Sequence, residues 1–287
     1  MRVLVTGGNA GIGYFAAEQL ASAGAEVVIG SRDPAKAESA RTAIRSRVAG
    51  AKVEHVRIDL ADLASLEAVD AGELDAVVCN AGVALDNPPR RETAGGHELM
   101  FGTNHLGHFA LVARLMPRLA PDARIVTTGS FAAKSAKLDF ADLQCERDYQ
   151  PKRAYERSKL AQMLFAFELD RRLREAGSKR LSVVAHPGGA LDALTPSRPP
   201  VHVRGAGQWL RGLPMRALVH GKDAGARPAV RAVLGPDVTG GQLWGPRVFG
   251  LRGRPRLEER WTNLTDDAAA ERLWAESVTL TGLDPLG

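Results

Sequence analysis

Cysteine is scarce in this chain: two residues in 287, Cys79 and Cys145. Cys79 ends an apolar, strand-like run, Cys145 lies in a polar stretch, and neither has a neighbour at metal-ligand spacing. That argues against a disulfide framework or a thiolate metal centre, and it suits a reducing cytoplasm. Histidine adds no metal site. His105 and His108 stand three apart with no further ligand nearby, a spacing that reads as packing and hydrogen bonding. Long apolar runs are missing too. None approaches the roughly 20 residues that cross a bilayer, so a soluble, cytoplasmic protein is expected. The first strand-like run starts at Arg2, so no signal peptide is expected. Blocks of like charge are also absent. The formal charge of +5 reflects basic residues, mostly arginine, scattered along the chain, so no nucleic-acid arm is expected.

What the chain does contain is a regular alternation. Short apolar runs at Val3–Thr6, Glu26–Gly30, Val53–Ile58, Ala76–Cys79, Arg124–Thr128 and Leu181–Ala185 read as strands buried on both faces. Helical patterns fill the gaps at Gly13–Ala23, Pro34–Ala49, Leu63–Ala71, Gly96–Leu119 and Arg153–Glu175. Asp33 and Pro34 have the N-cap and N1 chemistry of a helix start, and Gly24 and Gly177 sit where helices end. The fold expected is α/β, a Rossmann-type doubly wound parallel sheet with helices on both faces, in one domain spanning 1–287. Beyond about residue 189 the pattern loosens, and a small C-terminal substrate lobe over 189–235 is expected. Further on, Gln242-Leu243-Trp244 reads as a last strand and Asp266–Ser277 as a terminal helix.

Thr6-Gly7-Gly8-Asn9-Ala10-Gly11-Ile12-Gly13 joins the first strand to the first helix. Glycines there permit a sharp turn, a close approach of backbone to pyrophosphate, and tight helix–strand packing. The helix N-terminus adds N–H donors and a positive dipole end. A dinucleotide site is expected at Gly7, Asn9, Gly11, Ile12 and Gly13. At the tip of the second strand an acid would bind a ribose 2′-hydroxyl, but Ser31 and Arg32 stand there, and a guanidinium suits a 2′-phosphate. NADP(H) is therefore expected over NAD(H), with Asp33 as the competing carboxylate one residue on. Asp59 and Leu60 follow the third strand, where Asp59 serves either the adenine amino group or the turn itself. Asn80, Ala81 and Gly82 follow the fourth strand and let backbone lie beside the cofactor.

Tyr155 and Lys159 are four residues apart and share one helix face. A phenol is a weak acid, with an ordinary pKa of about 10, and a nearby ammonium favours its ionised form. Tyr155 is the expected general acid/base and Lys159 its charge partner, which also reaches the nicotinamide ribose. Ser130, at the end of the fifth strand, is placed to hydrogen-bond a substrate carbonyl. Asn104, in a long fourth helix, is expected to hold a water linking Lys159 to solvent.

These residues in this order resemble the short-chain dehydrogenase/reductase family. The resemblance is carried by Gly7, Gly11, Ile12, Gly13, Asn80-Ala81-Gly82, Asn104, Ser130, Tyr155-x-x-x-Lys159 and Pro187-Gly188, over residues 1 to about 190. It implies about seven strands, an Asn104-Ser130-Tyr155-Lys159 tetrad, cofactor contacts at Pro187 and Gly188, NAD(P)-dependent carbonyl–alcohol chemistry, and a homodimer or homotetramer. Ser31-Arg32-Asp33, Asn104-His105-Leu106-Gly107-His108-Phe109, Leu138-Asp139-Phe140 and Tyr155-x-x-Ser158-Lys159-Leu160 are similar to the retinol dehydrogenase-like and WW-domain oxidoreductase-like branch. Gly240 to Pro246 resembles its bacterial members, in line with the arginine-rich, lysine-poor composition. One departure stands out. After Pro187-Gly188 the family often carries a threonine against the nicotinamide amide, whereas here the run is Gly189-Ala190-Leu191-Asp192, and Thr195 comes later.

The expected substrate wall is Ala84–Arg91 with 189–220, where Leu191, Leu194, Trp209, Leu213 and Met215 mix with several arginines, which suits an apolar ketone, aldehyde or alcohol with a polar end; at least half of these apolar residues read equally as core of the lobe. Three other readings stay open: C=C reduction at the same site, a non-redox rearrangement, or an NADP(H)-binding regulatory protein. Trp209–Val219 is also a candidate for peripheral membrane contact.

Overall fold

The computed structural model describes residues 1–85 and 87–287. One sheet organises the chain. Its strands are β1 (Arg2–Thr6), β2 (Glu26–Ser31), β3 (Val53–Arg57), β4 (Leu74–Cys79), β5 (Leu119–Thr128), β6 (Leu181–Ala185), β7 (Leu243–Val248) and β8 (Arg252–Glu258). They lie in the order β3-β2-β1-β4-β5-β6-β7-β8. The first seven are parallel, and β8 runs antiparallel to β7 at the edge. The chain leaves β1 toward β2 on one side and returns to β4 on the other. A crevice opens at that reversal, beyond the carboxyl ends of the strands.

The helices are α1 (Gly11–Ser22), α2 (Pro34–Arg45), α3 (Leu99–Phe101), α4 (Gly107–Leu115), α5 (Pro151–Glu175), α6 (Ala206–Gly212), α7 (Lys222–Gly225), α8 (Arg227–Leu234) and α9 (Asp267–Thr281). Side chains alternate across each strand. Val3, Val5, Val27 and Ile29 face Phe15, Leu20, Ile44 and Val233 of α1, α2 and α8. Leu4, Val28 and Val77 face Phe109, Leu111, Phe165 and Leu169 of α4 and α5. A further cluster joins α5 to α9 through Leu160, Leu164, Phe167 and Leu273. Each such side chain, fully buried, stabilises the fold by about 1.5–3 kcal/mol.

Several local expectations need correction. The sheet has an eighth strand, β8, whose Arg-Gly-Arg-Pro-Arg-Leu-Glu sequence is polar because it lies at the edge, where Pro255 costs no ladder. Leu63–Ala71 forms only a 3-10 turn at Ala64–Ala68. The long helix expected over Gly96–Leu119 is interrupted. After α3 comes a π turn at Gly102–Leu106, then α4, then a 3-10 turn at Met116–Arg118 opened by Pro117, and Leu119 already belongs to β5. A proline removes a backbone donor, which accounts for that last break. The helix expected over Asp223–Leu234 is split into α7 and α8. Among the described residues, no helix is long and apolar enough to cross a membrane.

Candidate active site

The crevice at the strand reversal holds a cavity of about 890 Å³. One wall is the turn from β1 to α1, which is pinned from several sides. Gly7 N donates to Gly30 O at 2.7 Å. Thr6 Oγ1 accepts from Asn80 N and Ala81 N at 2.9 and 3.0 Å, and Asn80 Nδ2 donates to Thr6 O at 3.0 Å. Gly7 and Gly11 have φ of 66° and 57°, the left-handed region that disfavours side chains. A Cβ on Gly13 would lie 2.4 Å from both Gly7 O and Asn80 Nδ2, so the helix approaches the turn as closely as backbone allows. At the N-terminus of α1, the capping residue Ala10 offers no side-chain acceptor. The first helical N–H groups are thus available to an anion. Backbone donors, absent side chains and a positive dipole end together fit the pyrophosphate of a dinucleotide.

Gly7, Asn9, Gly11 and Ile12 line this cavity, as do Ser31, Arg32, Asp59 and Leu60, then Asn80, Ala81 and Gly82. Asp33 also reaches the lining but is engaged as the N-cap of α2, accepting from Lys36 N at 3.0 Å. That bond holds its carboxyl below the usual carboxylate range. Asp59 Oδ1 accepts from Ala61 N at 3.1 Å, so it closes its own turn while facing the cavity.

The other wall carries the candidate catalytic groups. Ser130, Tyr155 and Lys159 line the same cavity, with Thr128 and Gly129 between them. Ser130 Oγ accepts from Ala132 N at 3.3 Å, which leaves its proton to donate outward. Proline opens α5 at N1, and from Ser158 to Asp170 the helix is buried. Lys159 is only 5% exposed, and Nζ donates to Thr128 O at 3.1 Å and to Gln162 Oε1 at 2.8 Å. Burial pushes this ammonium down to about 8.

Three expected residues stand elsewhere. Gly13 lies behind the turn, where it serves packing. Asn104 is fully buried outside the cavity lining. Its Oδ1 accepts from Val83 N at 2.7 Å, and its Nδ2 donates to Val83 O and Ser158 Oγ at 3.0 and 2.9 Å. Its side-chain amide thus ties α5 to the segment after β4. Gly188 has φ of 69° and backs onto Leu251, where a Cβ would lie 2.6 Å from Leu251 O, while Pro187 and Ala190 reach the cavity. His108 links Thr6 Oγ1 and Asn104 O at 3.0 and 2.9 Å, and His105 contacts Ser277 Oγ at 2.8 Å. Burial pushes these rings down to about 4 and about 3, so both are neutral packing groups.

The substrate wall differs from expectation. Ala84 lines the cavity, but Leu191, Leu194, Trp209, Leu213 and Met215 do not, and Asp86 lies outside the described residues. Leu194 and Trp209 line a separate hollow with Arg216, Arg227 and Arg252. Thr195 is buried, donating to Leu191 O and accepting from Lys222 N at 2.7 and 2.9 Å, so it is not a nicotinamide contact. Lys36, Thr103 and Lys222 line the cavity without having been read from the sequence. Lys36 carried a signal, since it sits in the first turn of the helix that Arg32 precedes. Lys222 carried none.

A family model described as short chain dehydrogenase matches residues 1–142. Retinol dehydrogenase 13 of Homo sapiens is 34% identical over 98% of this chain and 85% of its own length. The chain is a short-chain dehydrogenase/reductase of the retinol dehydrogenase-like branch. It is thereby an oxidoreductase of the alcohol–carbonyl class, in a family that uses nicotinamide dinucleotides. The crystal structure of an uncharacterized protein from Mycobacterium paratuberculosis superposes on this dehydrogenase with a TM-score of 0.79, at 36% identity, covering 99% of this chain and 94% of that one. A Pseudomonas aeruginosa RhlG/NADP complex gives a TM-score of 0.53 at 27% identity, covering 66% of this chain and 73% of that one.

Proposed function

We propose that this dehydrogenase interconverts an apolar carbonyl compound and its alcohol with NADP(H), and that Tyr155 is its general acid/base. The observation that carries the reading is the convergence of Ser130, Tyr155 and Lys159 on the cavity that also holds the glycine turn and Arg32. The dinucleotide supplies or accepts the hydride. In the reducing direction, Ser130 Oγ donates a hydrogen bond to the carbonyl oxygen and Tyr155 Oη gives that oxygen its proton. In the oxidising direction Tyr155 takes the proton back. Lys159 has two of its three donors fixed by Thr128 O and Gln162 Oε1. The third is left for the nicotinamide ribose. Asn104 positions this group through Ser158 and Val83.

The NADP(H) preference rests on Arg32 and Lys36, two cations at the β2 tip, with Asp33 engaged in capping. Asp59, Leu60 and the Asn80-Ala81-Gly82 turn would line the adenine and ribose. An apolar substrate accords with the retinol named for the human relative.

Titration with NADPH and NADH, followed by turnover on apolar ketones, aldehydes and alcohols, tests this. Tyr155→Phe should bind NADPH as wild type does and lose at least about 10³-fold in kcat. Arg32→Ala should lose the preference for NADPH by roughly tenfold or more. A Tyr155→Phe variant that still turns over at the wild-type rate would sink the assignment of Tyr155.

A further inference from the structure

Four cationic side chains line the cavity among the described residues: Arg32, Lys36, Lys159 and Lys222. Arg32 follows β2 and Lys36 lies in the first turn of α2, and Lys159 is buried with two donors already engaged. No lysine or arginine occurs in the glycine turn from Thr6 to Gly13, where two phosphate charges are expected to sit. Lys222 is the remaining cation, and it comes from the lobe. It opens α7, which packs against α1, where Gln19 Nε2 donates to Asp223 O at 2.7 Å. Its backbone is fixed from the other side by Thr195 Oγ1, which accepts from Lys222 N at 2.9 Å.

We propose that Lys222 is a counterion for the cofactor pyrophosphate, and that Asp192 is its partner when the cofactor is away. The inference rests on the dinucleotide reading given above. Lys222 Nζ lies 2.5 Å from Asp192 Oδ1, and the side chains are 27% and 64% exposed. Asp192 also lies 3.9 Å from His202 Nδ1. An ion pair this open to water is held weakly, so exchanging the carboxylate for a phosphate costs little. A charge-assisted bond in a partly closed cavity is stronger. Cofactor binding would then release Asp192 from Lys222 while Thr195 Oγ1 keeps its bond to Lys222 N, so the lobe reports on cofactor occupancy. Residue 192 thus takes part in cofactor binding indirectly, by competing for Lys222.

Equilibrium titrations with NADPH, NADH, ADP-ribose and adenosine 2′-monophosphate provide the test and need no substrate. In Lys222→Met, affinity for the first three should fall by roughly tenfold each, with the NADPH-to-NADH ratio and the binding of the monophosphate unchanged. The salt dependence of NADH binding should flatten, a change that a loss of packing does not produce. Lys222→Arg should retain most of the affinity, and Asp192→Asn should bind the pyrophosphate ligands at least as tightly as wild type. Wild-type affinity in Lys222→Met overturns the inference alone, as does a loss confined to NADPH, which would move Lys222 to the 2′-phosphate. A wild-type protein that binds no dinucleotide overturns both the inference and the reading beneath it.

Discussion

The wall of the cavity built from β1, β4 and α5 differs sharply from the stretch between Gly189 and Gly221. In the first, functional groups are held by backbone and by buried side chains: Thr6 ties β1 to the turn after β4, and Asn104 ties that segment to α5. In the second, α6 has seven residues and is followed by a single 3-10 turn. Trp209, Leu210, Met215 and Leu218 are all at least 42% exposed there. Chemistry needs reacting atoms held to a fraction of an ångström, so its scaffold carries the dense bonding. The lobe is built from short, lightly packed pieces of the kind that open locally at low cost.

The strongest way to break this contrast is to disturb the rigid wall where nothing can give. Gly13→Ala places a Cβ 2.4 Å from Gly7 O, a backbone atom of the turn itself. The expected outcome is a loss of about 3 kcal/mol or more in unfolding free energy, together with loss of dinucleotide binding. Denaturant unfolding and cofactor titration check it. A variant that keeps both would show that the turn yields, and the comparison would fail.

A second perturbation exposes what the rigid wall costs. Lys159 is buried, and its ammonium is pushed down from 10.5 to about 8, chiefly by desolvation. In the unfolded chain the proton stays on until near 10.5. As pH rises through 8, the native state sheds the buried charge while the unfolded state remains protonated, so the unfolded state binds more protons and stability climbs. Below 8 both states are charged and the full penalty is present. Measured without cofactor, wild type should therefore gain up to about 3 kcal/mol relative to Lys159→Met between pH 7 and pH 10. Urea midpoints for the pair across that range provide the reading. A constant difference would mean that Gln162 and Thr128 compensate the ammonium fully.

The same contrast governs what could be read from the chain itself. Gly7, Gly11 and Gly13 were legible because their spacing encodes backbone dihedrals and a close approach. Tyr155 and Lys159 were legible because one helical turn brings them to one face. The interruption of the helix expected over 96–119 was less legible, because the π turn around Asn104 depends on tertiary contacts that local propensity does not carry. β8 escaped because an edge strand of arginine and proline has no apolar alternation. Lys222 escaped for a different reason: it meets the cavity only after α7 docks on α1, more than 200 residues away in sequence. Of the apolar residues expected to form a substrate wall, Trp209 and Met215 are exposed and Leu191, Leu194 and Leu213 half-buried outside the cavity, because composition alone does not say which side of a thin lobe a side chain faces.

The smallest expected effect sharpens the comparison from the other side. Leu210 is 64% exposed on α6, whereas Leu111 is fully buried on α4 against β4 and α5. Leu111→Ala removes packed methyl groups and leaves a cavity, and should cost about 2–5 kcal/mol. Leu210→Ser removes an apolar group that water already touches, so the change should stay within about 0.5 kcal/mol, and cofactor affinity should not move. The informative quantity is the turnover of an apolar substrate by Leu210→Ser. If KM rises while stability holds, the exposed apolar residues of the lobe meet the substrate on its way in, and their exposure in the free protein reflects that role. If KM is unchanged as well, the lobe surface contributes neither to folding nor to capture, and recognition must lie deeper, between Ala84 and Ala190 at the cavity itself.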